Sequence, residues 1–181
     1  MLIGAIAASS SAAGQASAAP APQVPAAPAA PQTLPGGATQ VQETFGDWRV
    51  TCAQPNGTKL CVLTQQLSDK ASGQRMLGVE LKAVTPDKAE GSLVLPFGLA
   101  VDKPITMQID DAGATISTHV RTCLPVGCVA SLSFDAATIA ALRKGTALNV
   151  KAVADGGADA SFKLSLTGFG GGLDRTAALS K

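Results

Sequence analysis

The 181-residue sequence predicts an all-β fold, an antiparallel β-sandwich or barrel-like domain with one short helix. Three observations point there. Apolar residues recur with a period of two between Phe45 and Thr167. Turn signals separate these runs at intervals of roughly ten residues. Nineteen glycines and eleven prolines suit a loop-rich fold better than a helical bundle.

The strands follow in order. Trp48, Val50 and Cys52 alternate, as do Leu77, Val79 and Leu81. Ile105, Met107 and Ile109 come next, then Ile116, Thr118 and Val120. Leu148, Val150 and Ala152 precede Phe162, Leu164 and Leu166. The last two runs carry apolar residues at even positions, so their pairing must preserve that parity to bury one face. A three-residue loop, Gly156-Gly157-Ala158, does so by pairing Leu148 with Leu166 and Val150 with Leu164. One helix interrupts the series: Asp135 is an N-cap, Ala136 to Arg143 favours helix, and Gly145 closes it. Gly170-Gly171-Gly172 reads as a flexible joint before a short C-terminal helix from Leu173.

The chain is two materials joined near Gln40. Met1 to Gln40 holds six of the eleven prolines and no charged residue, so every acid and base lies beyond it. The apolar run Met1–Ala8 leads to Ala16-Ser17-Ala18, a small-x-small pattern like a signal peptidase site. The run is far shorter than the roughly 20 residues that span a bilayer. Residues 1–18 are therefore read as an export signal, although the basic start of such signals is missing. Residues 19–44 are read as a Pro/Ala-rich flexible spacer, and 45–181 as the β domain.

Four cysteines in a short exported chain read as two disulfides. Three connectivities exist on paper, and turn chemistry favours the local one. A two-residue turn at Asn56-Gly57 sets Cys52 opposite Cys61, in a non-hydrogen-bonded pair close enough to bridge. Pro55 removes a hydrogen bond beside that turn and argues for a wider loop. Pro125 and Gly127 stand where a type I turn places them, with Cys123 and Cys128 on its flanks. Zinc ligation fits poorly, because C-x8-C and C-x4-C are not the usual knuckles. A redox pair would show C-x-x-C before a helix.

Composition excludes several functions. The net charge is +1 and aromatics are 3% of residues, so neither a basic field nor a stacking platform for nucleic acid is present. A single His leaves little for His-dependent catalysis. His119 alternates away from the core and Arg121 lies two residues on. Trp48 reads as a half-buried core aromatic or a surface anchor. Trp48, His119 and Arg121 are the candidate surface-binding residues, and no cofactor, metal site or catalytic residue is assigned. Asp110-Asp111 reads as turn chemistry with Ala112-Gly113. Asp155 and Asp159 bracket a glycine loop, a weak calcium candidate.

Several segments carry a resemblance. Phe45-Gly46-Asp47-Trp48-Arg49-Val50-Thr51-Cys52 resembles the opening motif of the invasion-associated locus B family. Cys61 with Val-Leu-Thr-Gln-Gln is similar to its second strand, and Leu95-Pro96-Phe97-Gly98-Leu99 to its central segment. Arg121-Thr122-Cys123-Leu124-Pro125-Val126-Gly127-Cys128 resembles its most distinctive motif, and Leu164-Ser165-Leu166-Thr167-Gly168-Phe169 its closing strand. The resemblance implies an exported, all-β protein of Gram-negative bacteria, periplasmic or envelope-associated. The family takes its name from a member that promotes host-cell entry, and it carries no catalytic residues over.

The expected function is that of a non-enzymatic interaction module acting on an envelope or host component. The alternatives are an enzyme built on Asp47, His119 and Arg121, or an envelope-stress or structural protein. Export is tested by mass: the periplasmic protein should lack its first 18 residues, and a reduced cytosolic chain retaining Met1 would refute the reading.

Overall fold

The computed structural model describes residues 34–111, 113 and 115–181. The expected export signal and most of the spacer lie outside the described residues. The elements are β1 (Gln40–Phe45), β2 (Trp48–Ala53), β3 (Leu60–Ser68), β4 (Arg75–Thr85), β5 (Lys88–Leu95), β6 (Ile105–Ile109), β7 (Thr115–Thr118), β8 (Val120–Leu124) and β9 (Gly127–Phe134). Helix α1 (Ala136–Lys144), β10 (Ala147–Val153), β11 (Asp159–Ser165) and α2 (Phe169–Leu179) complete the chain.

The strands form two antiparallel sheets, ordered β1-β2-β3-β4-β5-β9-β8 and β11-β10-β6-β7. Both are open, with β1 and β8 at the margins of one and β11 and β7 at those of the other, so the barrel alternative falls away. Alternate residues of both sheets meet in one core. Trp48, Val50, Leu63, Leu81 and Leu93 enter it from the large sheet, and Ile105, Met107, Val150 and Leu164 from the small one. Burying each such side chain is worth about 1.5–3 kcal/mol.

The domain starts earlier than residue 45. Leu34 is buried in the core, and β1 pairs with β2 from Gln40↔Ala53 to Phe45↔Trp48. The charge-free composition marks a change of material but not the edge of folded structure.

The disulfides join Cys52 to Cys61 and Cys123 to Cys128, with Cα–Cα separations of 4.1 and 3.9 Å. Each pair sits in direct register across its hairpin. The first hairpin keeps the expected register, but its turn is wider. A 3-10 turn at Pro55–Gly57 occupies a connection running from Ala53 to Leu60, because Pro55 cannot donate to a tight ladder. The second hairpin closes at Leu124↔Gly127 around Pro125 and Val126.

The β10–β11 hairpin departs from the expected register by two residues. Leu148 faces Leu164, Val150 faces Phe162, and Val153 faces Asp159. Parity survives, so the same face is buried. The extra loop residues have a tertiary use: Ala154 bridges Leu99, Ala100 donates to the Val153 carbonyl and Asp155 to that of Gly98. Hydrogen bonds to the β5–β6 connection therefore outweigh the shorter loop.

Helix α1 follows the sequence, with the Asp135 carboxylate accepting from the Thr138 amide at 2.8 Å. Asp110 does not serve its own turn. At φ 51° its carboxylate accepts from the Thr146 hydroxyl at 2.6 Å and from the Thr146 and Ala147 amides at 3.0 Å. The Thr146 hydroxyl, followed by these amides, holds the Asp110 carboxyl below its ordinary pKa.

Helix α2 begins at Phe169 and runs through the three glycines expected to be a joint. Glycine is a poor helix former, costing roughly 1 kcal/mol against Ala in a helix interior. Packing explains its presence. Phe169, Gly172, Leu173 and Thr176 form the buried stripe of α2, which lies on β1 to β4. A Cβ on Gly172 would stand 2.6 Å from Leu63 Cδ1. Two forked ion pairs lie along the exposed flank: Arg175 with Glu43, and Arg143 with Asp174.

Gly172→Ala should therefore destabilise the protein by about 1–3 kcal/mol despite the better helix propensity of Ala. Gly170→Ala, whose Cβ would meet only the Arg143 side chain, 3.3 Å from Nη1, should cost less than Gly172→Ala. Urea unfolding of both variants checks the contrast. Cys128→Ser should cost about 2 kcal/mol and leave Cys123 as the one alkylatable thiol, which non-reducing peptide mapping would read.

Candidate functional site

Two of the segments singled out above meet on one surface. Leu95-Pro96-Phe97 ends β5, and Cys123 to Cys128 forms the β8–β9 hairpin. These strands are neighbours, with Leu95 in register with Cys128. Gly127, at φ 130°, allows the hairpin to close against β5: a Cβ there would lie 2.4 Å from the Leu95 carbonyl oxygen.

The third wall is the β3–β4 turn. The Asp69 amide donates to the Gln74 carbonyl, and Asp69 Oδ1 accepts from the Ser72 amide and hydroxyl, both at 2.8 Å, and from the Ala71 amide at 3.1 Å. The Ser72 amide and then its hydroxyl hold the Asp69 carboxyl below its ordinary pKa, so it is ionised and committed to the turn. Arg75 Nη2 donates to the Val126 carbonyl at 2.6 Å, tying β4 to the β8–β9 turn across β5.

Between these walls lies a groove of about 740 Å³, with Met76, Pro96, Phe97, Pro125 and Val126 on its apolar side. Phe97 is 62% exposed, Val126 54% and Met76 40%, and Leu124 at 46% stands beside them on β8. Large apolar side chains concentrated on the surface of a soluble domain mark contact sites. The arrangement supplies shape, apolar area and one guanidinium. It can bind.

The residues named from sequence do not assemble. Trp48 is 1% exposed, so the surface-anchor role is corrected to a core one. Its ring stands edge-on to Phe169 at 5.2 Å, and Nε1 donates to the Ser165 carbonyl at 3.0 Å. His119 is exposed in the link between β7 and β8, and Arg121 is exposed at the register shift of β8. Asp47 lies in the β1–β2 turn, in a depression shared with Thr44, Arg49, Thr64 and Gln66 at the opposite margin of the large sheet from β8. Asp47, His119 and Arg121 thus do not share a cleft. All four cysteines are bonded in pairs, and among the described residues no group of three or more His, Cys, Asp or Glu is placed to hold a metal ion.

Sequence reasoning missed Arg75, Met76, Phe97 and Val126 as site residues. A signal existed for two of them. Val126 and Phe97 each follow a proline beside a glycine, where turn chemistry favours small polar residues. Arg75 and Met76 carry none, since only the sheet order brings β4 within reach of the β8–β9 hairpin.

Comparison with known proteins gives a consistent result. Residues 48–177 match the model of the invasion associated locus B (IalB) protein family. An invasion protein B homolog of Brucella abortus (strain 2308) is 45% identical over 150 residues, covering 82% of this chain and 86% of its own. Invasion protein B of Bartonella bacilliformis is 35% identical over 153 residues, covering 82% of this chain and 81% of its own. The crystal structure of invasion associated protein b from Bartonella henselae superposes with a TM-score of 0.72 at 31% identity, over 77% of this chain and 96% of that one. Both segments that build the groove's apolar side fall within the matched region, and the chain belongs to the invasion associated locus B (IalB) protein family.

Proposed function

We propose that this chain is an exported, disulfide-stapled, non-catalytic interaction protein of the bacterial periplasm or envelope, engaging its partner through the groove beside Phe97 and Val126. One observation carries the reading. Of the seven large apolar side chains exposed among the described residues, Met76, Phe97, Leu124 and Val126 gather at three adjoining strand ends. A monomer gains nothing by exposing apolar area there, whereas a partner covering it recovers the burial energy.

Two features support export: the Ala16-Ser17-Ala18 pattern and the paired cysteines, which persist in oxidising compartments. An association with host-cell invasion rests on the names of the relatives from Brucella abortus and Bartonella bacilliformis. The enzyme alternative built on Asp47, His119 and Arg121 is disfavoured by their separation across the large sheet.

Site-specific photocrosslinking in intact cells tests the reading. A benzophenone side chain at Val126 should give discrete adducts, and one at Lys151, exposed on β10, should not. Adducts at Lys151 with none at Val126 would move the interaction surface elsewhere.

A further inference from the structure

The groove is lined by one carboxylate and one guanidinium, and the two differ in the hydrogen-bonding capacity they leave for a ligand. Asp69 and Arg75 are the charged residues lining it. The Asp69 carboxylate already accepts three hydrogen bonds inside its own turn. Arg75 spends one nitrogen on the Val126 carbonyl and has no carboxylate partner among the described residues. A guanidinium beside apolar side chains suits a ligand that is apolar with a carboxylate, because the planar fork matches carboxylate geometry.

Dimensions add a second constraint. From β4 to β9 is two strand spacings, about 10 Å, the length of roughly three extended residues. An extended peptide can therefore set an apolar side chain and a nearby carboxylate in the groove together. A membrane surface is a poorer match, since the chain has a net charge of +1 and no polybasic cluster to hold anionic headgroups.

We propose that the groove binds an extended acidic peptide segment of a partner protein, with one large apolar side chain among Met76, Pro96, Phe97 and Val126 and a neighbouring carboxylate on the Arg75 guanidinium. This rests on the reading of the groove as the interaction surface and adds the chemistry of the occupant.

Selection of a random, end-blocked hexapeptide library on the immobilised full chain tests it. Enriched sequences should pair Phe, Leu or Ile with Asp or Glu within two residues. Replacing the acid of a selected peptide by its amide should weaken binding about tenfold by fluorescence anisotropy, the usual magnitude for a charged hydrogen bond. Arg75→Gln should erase that difference between acid and amide peptides, and Val126→Asp should abolish binding of both. The amide peptide tests the charge without altering the protein, so loosening of the turn in Arg75→Gln cannot mimic the result. Enrichment of apolar peptides without acids, lost on Val126→Asp, would overturn the acidic occupant and leave the groove as the surface. Peptides that bind Val126→Asp as well as the parent would overturn both. No enrichment, or groove-dependent dimerisation or binding to phosphatidylglycerol vesicles in its place, would overturn the peptide occupant.

Discussion

Two pieces of backbone lie back to back at one margin of the large sheet, and the packing of α2 depends on that contact. The β1–β2 turn puts its Asp47 amide on the Thr167 carbonyl at 3.1 Å. Gly168, at φ 89°, follows at once, and a Cβ on it would lie 1.9 Å from the Phe45 carbonyl oxygen. Only glycine allows that approach in that conformation. The chain therefore leaves β11 and turns directly down onto the inner face of β1 to β4. Phe169 meets the edge of Trp48 there, and the indole N–H finds Ser165.

The same constraint explains the glycines of α2. A helix laid this close to Leu63 has no room for a side chain at position 172, so helix propensity yields to packing. Buried Gln65 joins the arrangement by donating to the Asp47 carbonyl at 3.2 Å. Across the sheet, at the ends of β4, β5 and β8, the hydrophobic surface is left facing outward. The Cys123–Cys128 bridge and the Arg75 bond to Val126 hold that margin in shape. A fixed lip loses less conformational freedom when a partner binds, which favours recognition.

The candidate site was partly legible. The Pro125–Gly127 turn, the flanking cysteines and the Leu95–Leu99 segment stand out in the sequence as separate features. Their meeting follows from β5 pairing with β9 at Leu95↔Cys128, a contact across 33 positions that no local rule supplies. Arg75 enters from farther away still. Trp48, the most conspicuous single residue, belongs to the core instead, because the approach of α2 covers it.

The sequence by itself determined β2, β4, β6, β10 and β11 with their inward faces, helix α1 with its Asp135 cap, and the local cysteine partners. Each is written in a period, a cap or a turn spanning fewer than a dozen residues, where steric and hydrogen-bonding rules act directly. The single run expected from Ile116 to Val120, by contrast, is divided between β7 and β8 in different sheets. Tertiary structure decided the order of the sheets, their failure to close, the recruitment of β1, the two-residue shift between β10 and β11, and the helix through three glycines. Each of these turns on contacts between distant segments: Gly98 with Asp155, Phe45 with Gly168, and Leu63 with Gly172. Burial and hydrogen bonding between such segments outweigh local preferences of about 1 kcal/mol per residue.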